Sequence, residues 1–159
     1  VSSEEMLDAL DVLGYLSFPA CCTPDLLECA IPASLRPRAR FSLLLLGPKA
    51  RMALRRDTPM YCQCCFVLSG CLQVRMLPAK VAAETLEAHV GDLGCAVAPL
   101  DLFAELPTPH RKLQVDMWCA EASEGDALLI PPGWWHQCES PDGLAVVAMA
   151  PFITEAAVP

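Results

Sequence analysis

The segment over residues 124–136 constrains the fold more than any other part of this chain. It reads Glu-Gly-Asp-Ala-Leu-Leu-Ile-Pro-Pro-Gly-Trp-Trp-His. A short apolar run that ends in Pro-Pro-Gly is typical of a buried β-strand, because proline and glycine end the strand and turn the chain. Two tryptophans and His136 follow the turn at once, so bulky side chains and a titratable group are expected beside that strand.

This segment resembles the closing strands of the Jumonji-C-type cupin barrels. These are the asparaginyl- and lysyl-hydroxylase branch of the iron and 2-oxoglutarate oxygenases, with the pattern G-D-x-L-x-I-P-x-x-W-W-H. The resemblance spans Phe41 to Met149, although only the closing segment is highly specific. It implies a mainly β fold, a double-stranded β-helix of the cupin or jelly-roll type, with a few short helices. In that family the last histidine binds iron, which implies that His136 lies where a metal would lie.

The apolar pattern along the chain fits such a barrel. Strands are predicted over residues 41–46, 52–55, 61–68, 72–77, 113–120, 127–130 and 144–149. Ser69-Gly70 is predicted to join two of them as a hairpin. Helices are predicted after the capping box of Ser2 and Glu5, over residues 25–30 and over residues 79–89. Residues 90–109 have no clear period. We expect one domain, with residues 1–40 as a helical segment packed on a barrel of residues 41–159.

Composition excludes several classes of protein. The net charge of the 159 residues is −8, and the arginines between Arg36 and Arg56 lack aromatics interleaved at a spacing typical of nucleic-acid binding, so nucleic acid is not an expected partner. No apolar run approaches the roughly 18 residues of a membrane span. Hydrophobic residues make up 54% of the chain, above the usual level of about 45–50%. The surplus suggests that a protein partner covers part of the surface.

Ten cysteines lie mostly inside apolar, strand-like runs such as residues 62–68. Thiols in such runs are typical of core side chains, so we expect free cysteines in an intracellular, reducing compartment. The chain starts at Val1 without a signal-peptide pattern. A mitochondrial or chloroplast location after removal of a targeting peptide stays open.

The resemblance implies an iron site made of two histidines and one carboxylate. The first two ligands come as H-x-D, which aligns with Arg55-Arg56-Asp57. A guanidinium group has no lone pair to give to a metal and stays protonated. Asp57 and His136 would therefore be left without a third ligand. We expect Arg55 to pair with Asp57 and to supply the positive charge that iron would supply.

The implied site for 2-oxoglutarate is altered as well. The lysine that pairs with its distal carboxylate aligns with Leu72, and two further polar family positions align with Met52 and Met149. A lost charge-assisted hydrogen bond costs about 1.5–3 kcal/mol, and an unpaired buried carboxylate costs more. At about 1.36 kcal/mol per tenfold change, binding would weaken on the order of a thousandfold. No catalytic, cofactor-binding or metal-binding residue is predicted. The vestigial positions are Arg55, Asp57, Leu72 and His136.

Structural interpretations stand beside the functional ones. His136 is favoured as a buried core histidine bonded to Asp57 or to the backbone, and Trp134 and Trp135 as packing residues. Cys62, Cys64 and Cys65 are favoured as core thiols. A rebuilt zinc site of Asp57, His136 and either Cys64 or Cys138 is the alternative. The arginine cluster either docks an acidic partner or forms a solvated loop.

These expectations favour a catalytically inactive barrel that serves as an accessory subunit or scaffold in a larger protein assembly, without a cofactor. The rival is an active hydroxylase of protein or small-molecule substrates that uses Fe(II) and 2-oxoglutarate. A third interpretation is a small-molecule binding module that keeps the barrel mouth as its pocket.

Overall fold

The computed structural model describes residues 25–26, 42–59, 61–91 and 94–153. The first predicted helix, most of the predicted helix at 25–30 and the predicted N-terminal domain boundary lie outside these ranges. Ten strands occur in the described residues. They are β1 Ser42–Leu46, β2 Leu54–Arg56, β3 Cys62–Ser69, β4 Cys71–Leu77, β5 His89–Val90, β6 Ala96–Ala98, β7 Trp118–Ser123, β8 Ala127–Ile130, β9 Trp135–Glu139 and β10 Ala145–Phe152. Two 3-10 helices, Glu84–Leu86 and Thr108–Asp116, lie between them.

The strands form two antiparallel sheets. Sheet A has the order β1-β10-β3-β8, and sheet B has the order β5-β6-β2-β9-β4-β7. The first four strands alternate between the two sheets, and so do the last four, which is the winding of a double-stranded β-helix. The predicted jelly-roll fold of the cupin type is therefore confirmed.

The space between the sheets is filled by side chains from their inner faces. On β4, Leu72, Val74 and Met76 point into this inner core, and Gln73 and Arg75 between them point outward. The alternation follows from the two-residue period of a strand. From sheet A, β10 adds the residues Ala145, Val147 and Met149.

A second core covers the outer face of sheet B. Leu54, Leu77 and Trp135 point outward and pack against residues from the connection between β4 and β7, among them Leu86 and Leu102. The indole N–H of Trp135 donates to the carbonyl oxygen of Val81 at 2.9 Å, so the one polar atom of this buried side chain is satisfied. The connection thereby holds β9 and the site residues on it in place.

The predicted hairpin at Ser69-Gly70 is wrong. β3 belongs to sheet A and β4 to sheet B, so the chain changes sheets at this turn instead of reversing within one. Gly70 has a φ of +83°, and a Cβ there would collide with the carbonyl oxygen of Leu144. The glycine is therefore needed for a crossing between sheets, which a two-residue turn signal does not distinguish from a hairpin.

Two other predicted elements need correction. The predicted helix over residues 79–89 contains only the 3-10 helix Glu84–Leu86, which ends at Glu87 with a left-handed φ of 53°. Residues 113–116 were predicted as strand but belong to the 3-10 helix Thr108–Asp116, since prolines precede and begin it and Leu113 is its buried residue. The strand starts only at Trp118, and the apparent apolar alternation included the exposed Val115.

The apolar runs near the C-terminus differ in burial. β10 lies between β1 and β3 and is buried along most of its length. The sequence predicts a buried strand at β8, but β8 is an edge strand and its Leu129 is exposed. None of the described helices is long and apolar enough to cross a membrane.

Candidate functional site

The candidate site lies on the inner face of sheet B. Arg55 of β2 is the cross-strand neighbour of His136 of β9, and Met76 of β4 follows on the other side of His136. Met76 belongs to the inner core, so all three side chains point between the sheets. Their neighbours Arg56 and Trp135 point outward, where the Arg56 guanidinium lies 4.8 Å from the Trp135 ring centroid. The two-residue period thus selects Arg55 rather than Arg56 for the barrel interior.

Asp57 follows β2 directly and lies between Arg55 and His136. Its Oδ1 is 3.5 Å from Nε of Arg55, and its Oδ2 is 3.7 Å from Nε2 of His136. The predicted pairing of Arg55 with Asp57 is confirmed. The Arg55 and Asp57 side chains are 37% and 28% exposed, so this ion pair borders the solvent at the barrel mouth.

The contacts in this trio are electrostatic. Nε of Arg55, Oδ2 of Asp57 and Nε2 of His136 are buried and have no hydrogen-bond partner. The separations of 3.5 Å and 3.7 Å exceed the usual length of a hydrogen bond. A pair of this kind, open to solvent on one side, contributes less than about 1 kcal/mol to stability.

His136 is almost fully buried, with 1% of its surface exposed. Its Nδ1 lies 3.3 Å from the carbonyl oxygen of Trp134, and because a carbonyl only accepts, Nδ1 carries the hydrogen. Burial lowers the pKa of His136; Asp57 opposes this change and Arg55 adds to it. The ring is therefore neutral near pH 7, and its Nε2 lies 3.7 Å from Oδ2 of Asp57. As predicted, His136 is buried and its ring contacts the backbone.

Two thiols share the barrel interior with the trio. Cys65 on β3 and Cys138 on β9 both belong to the inner core. Burial raises the pKa of the Cys138 thiol to about 12 and raises that of Cys65 well above its usual value. Both side chains are therefore protonated thiols near neutral pH.

The rebuilt zinc site receives no support from this arrangement. Cys64, one of its proposed ligands, lies on the outer face of sheet A with Cys62 and Phe66, so its assignment to a site with Asp57 and His136 is wrong. The inward-facing neighbour is Cys65, because residues 64 and 65 point to opposite faces. In the ranges that the structure describes, no three His, Cys, Asp or Glu side chains are grouped to hold a metal ion.

The residues do not fit the iron and 2-oxoglutarate that the resemblance implies. Asp57 and His136 offer two donor atoms, and the neighbouring position holds the guanidinium of Arg55, which cannot coordinate. Leu72 is fully buried in the inner core and offers only hydrocarbon to a carboxylate. Met149 lies on the same core, and Met52 packs against it.

An open cleft of about 260 Å³ lies beside the ion pair. It is smaller than the roughly 300–1,000 Å³ of typical small-molecule sites. Its lining residues are Arg55, Arg56, Asp57, His89, Gly91, Cys95, Ala96 and Val97.

A polar network on the outer face of sheet B was not found from the sequence. Arg51 bonds to Glu139 and, at 2.7 Å, to Asp101, and its guanidinium lies 5.4 Å from the Phe103 ring centroid. Partial burial acts to raise the pKa of Asp101, but the Phe103 N–H and Arg51 together lower it. Gln137 accepts from the Leu102 N–H at 2.6 Å. These partners lie far apart in the sequence and carry no local motif, so only the sheet register brings them together.

The strand order of the two sheets defines a barrel protein of the cupin type. The sequence matches no protein-family model and no curated protein. The fold is similar to Drosophila melanogaster CENP-C bound to CAL1, with 11% identity over 73% of this chain and 66% of that chain, and a TM-score of 0.45. It is also similar to a Bacillus halodurans protein, with 15% identity over 72% of this chain and 62% of that chain, and a TM-score of 0.44.

A third similar structure is hydroquinone 1,2-dioxygenase from Sphingomonas sp. TTNP3, solved with 4-hydroxybenzoate bound. It has 13% identity over 73% of this chain and 61% of that chain, with a TM-score of 0.47. The chain thus spans less than two thirds of the length of these three proteins. With such identities and TM-scores the likeness carries no argument about function, and the cupin-type assignment rests on the strand order of the two sheets.

Proposed function

We propose that this chain is a catalytically inactive barrel that acts as a structural accessory subunit or scaffold in a larger protein assembly. The observation that carries the proposal is the ion pair of Arg55 and Asp57 beside His136 on the inner face of sheet B. A fixed cation occupies the place that the Jumonji-C resemblance gives to a metal-binding imidazole.

The donor atoms support this proposal. A ferrous centre of this type needs three protein ligands, and the trio offers the carboxylate of Asp57 and Nε2 of His136. A divalent cation brought between them would also be repelled by the guanidinium of Arg55, which stays charged at physiological pH. Metal binding is thus opposed by a missing ligand and by a like charge.

The wall of the inner core supports it independently. A 2-oxoglutarate molecule would need a cation for its distal carboxylate, and Leu72 stands fully buried at that position. An unpaired carboxylate in an apolar wall costs several kcal/mol, on the order of a thousandfold in affinity. The missing metal ligand at Arg55 lies on β2 and the missing cation at Leu72 lies on β4, so a single local rearrangement would not restore both sites.

The apolar surface supports a role in an assembly. Trp118 is 62% exposed on β7, the edge strand of sheet B, and its ring stands against Trp134 with centroids 6.0 Å apart. Tryptophan is enriched among the residues that dominate protein–protein binding energy, and edge strands offer unpaired backbone groups. The barrel would then serve as a rigid body that presents this edge.

The experiment combines two measurements on the purified chain. After loading with ferrous iron and desalting, we expect iron far below one ion per chain and no succinate formed from 2-oxoglutarate. In a native cell extract, we expect the chain to migrate well above its mass of 17.2 kDa. Stoichiometric iron together with succinate formation would establish the rival hydroxylase, and a free single chain in the extract would remove the assembly role.

A further inference from the structure

One side of β7 carries main-chain groups that are not paired with any strand of the described ranges. Just after β7, the Glu124 N–H donates to the carbonyl oxygen of Gly70, beside the start of β4, at 3.1 Å. The direction of these groups alternates along a strand, so the N–H and C=O groups of Cys119 and Glu121 point away from β4. The Ser123 N–H points the same way and donates to a nearby carboxylate at 2.9 Å. Cys119 and Glu121 therefore offer their main chain to an added strand.

The outer face of this edge has opposite charges at its two ends. Glu121 is exposed and accepts from the Gln73 amide at 2.8 Å. Two residues earlier, Cys119 lies opposite Arg75, whose guanidinium lies 4.6 Å from the Phe103 ring centroid. An open cleft of about 290 Å³ is lined by these five side chains and by the neighbouring main chain. An added strand would thus meet a carboxylate at one end of the cleft and a guanidinium at the other.

The carboxylate end is extended by the residues that follow β7. Glu124 and Asp126 are both exposed, and Asp126 is the carboxylate that accepts from the Ser123 N–H. The chain as a whole carries a net charge of −8. Complementary charges across an interface select the partner and fix its register, so a basic residue of a partner fits this end of β7.

The inner face of the same edge is apolar. Ala120 lies opposite Val74 of the inner core, and Trp118 is 62% exposed with its ring against Trp134. A residue facing the small Ala120 from an added strand would be a diagonal neighbour of Trp118, close enough for contact between large side chains. A large apolar residue is therefore the best match at that position.

We infer that the β7 edge binds an extended segment of a partner protein as an added antiparallel strand. Its basic residue faces Glu121, its next residue is large and apolar and faces Ala120, and an acidic residue then faces Cys119 on the side of Arg75. The antiparallel direction follows the existing pairing of β7 with β4. This inference rests on the proposed assembly role and adds the docking surface and the chemistry of the partner.

A second copy of the same edge does not have this chemistry. β7 reads Trp-Cys-Ala-Glu-Ala-Ser over residues 118–123 and contains no lysine or arginine. Pairing of two β7 strands would therefore leave each Glu121 without a basic partner from the other β7. A different protein segment, with the order basic, apolar, acidic, fits the edge better.

Two synthetic peptides of the same composition test the charges and the direction on the full chain. They are Thr-Thr-Lys-Ile-Glu-Thr-Thr and Thr-Thr-Glu-Ile-Lys-Thr-Thr, and each is titrated into the isotope-labelled protein while the amide signals are followed by NMR. With the first peptide we expect shifts and slower solvent exchange at the amides of Cys119 and Glu121. The second peptide should bind at least about tenfold more weakly. Equal binding of the two peptides, no binding, or shifts confined to other strands would overturn the inference.

Variants of the edge test the main-chain pairing. Cys119→Pro removes an outward N–H, which an edge strand tolerates, and should lose binding, whereas Cys119→Ala keeps the N–H and should bind normally. Glu121→Lys should weaken binding of the first peptide at least about fivefold, because a repulsion replaces an attraction. If Cys119→Pro does not fold, N-methylation of the peptide's glutamate removes a bond to Cys119 and leaves the protein unchanged. Undiminished binding of the methylated peptide would contradict strand addition.

Loss of this inference can be told apart from loss of the assembly role. If the first peptide does not bind and Glu121→Lys still migrates in a native extract as the unchanged chain does, well above its own mass, the β7 edge is not the interface but the assembly role stands. If the unchanged chain migrates alone, the assembly role is lost. Binding of the first peptide at Cys119 and Glu121 would then still establish β7 as a strand-binding edge.

Discussion

Arg55 and His136 face each other across neighbouring strands on the inner face of sheet B, and Asp57 lies within 3.7 Å of both. The barrel therefore brings together three side chains of which one has no metal-donating atom. A histidine at position 55 would raise the number of metal-donating side chains in the trio from two to three, because the strand register places residue 55 beside His136.

Arg55→His is expected to create a divalent-metal site. The change removes the repelling cation and adds the third donor to Asp57 and His136, which completes a set of two imidazoles and one carboxylate. Isothermal titration with Ni²⁺ or Zn²⁺ should give about one ion per chain at micromolar affinity. Arg56→His is the matched control, because residue 56 points to the outer face. Equal binding by the two variants, or none by Arg55→His, would contradict the assignment.

Gly70→Ala is expected to destabilise the barrel far more than Gly125→Ala. Both glycines have positive φ, 83° and 89°, but a Cβ at Gly70 would strike the Leu144 backbone while a Cβ at Gly125 has open space around it. We expect a loss of roughly 1–2 kcal/mol at Gly125 from backbone strain alone, and more than about 3 kcal/mol at Gly70. Urea unfolding of both variants measures the difference. Similar losses would mean that the close approach at Gly70 does not matter.

Trp135→Ala should cost about 3–5 kcal/mol of unfolding free energy, because a fully buried indole and its bond to Val81 are lost. Trp118→Ala should cost less than about 1 kcal/mol, because this ring is mostly exposed. Chemical unfolding followed by circular dichroism avoids the change in fluorescence that both substitutions cause. A large loss of unfolding free energy in Trp118→Ala would show that the contact of Trp118 with Trp134 stabilises the fold, which would contradict its assignment to a binding surface.

The stability of the barrel should fall as the pH drops through the range where an unfolded histidine becomes protonated. The folded pKa of His136 is lowered from 6.5, so below that value the unfolded chain takes up a proton that the folded chain does not. Its contribution is complete above the unfolded pKa and is lost on acidification. We expect the melting temperature to decrease between about pH 7.5 and pH 5.5. The decrease should be smaller in His136→Asn and unchanged in the exposed-site control His89→Asn.

The fold could be predicted from the sequence where apolar runs were long. β3 and β10 fall within three residues of their predicted positions because their sequences are mostly apolar, and β4 does so because its apolar residues alternate with Gln73 and Arg75 at the period of a strand. The wrong predictions of secondary structure arose where a short sequence pattern is compatible with two structures. Ser69-Gly70 looks the same whether a chain reverses in one sheet or crosses to another, and the pattern around Leu113 fits both a strand and a one-sided 3-10 helix.

Only part of the candidate site could be predicted from the sequence. Arg55, Asp57 and His136 were found from a motif with fixed spacing, and the strand register brings them together. The choice of Cys64 over Cys65 failed, because the sequence of a strand buried on both faces does not reveal which residues point inward. The network of Arg51, Asp101 and Glu139 has no spacing signal at all, since its members meet only through sheet pairing and a loop crossing.

The three tryptophans of this chain sit at three depths. Trp118 stands mostly in water, Trp134 is half covered at the inner core, and Trp135 is sealed beneath the connection on sheet B. Their emission spectra should therefore separate, with acrylamide quenching the red-shifted light of Trp118 first. A ligand or protein bound at the β7 edge would protect Trp118 from acrylamide. Binding there could therefore be followed by the fluorescence of the unlabelled chain.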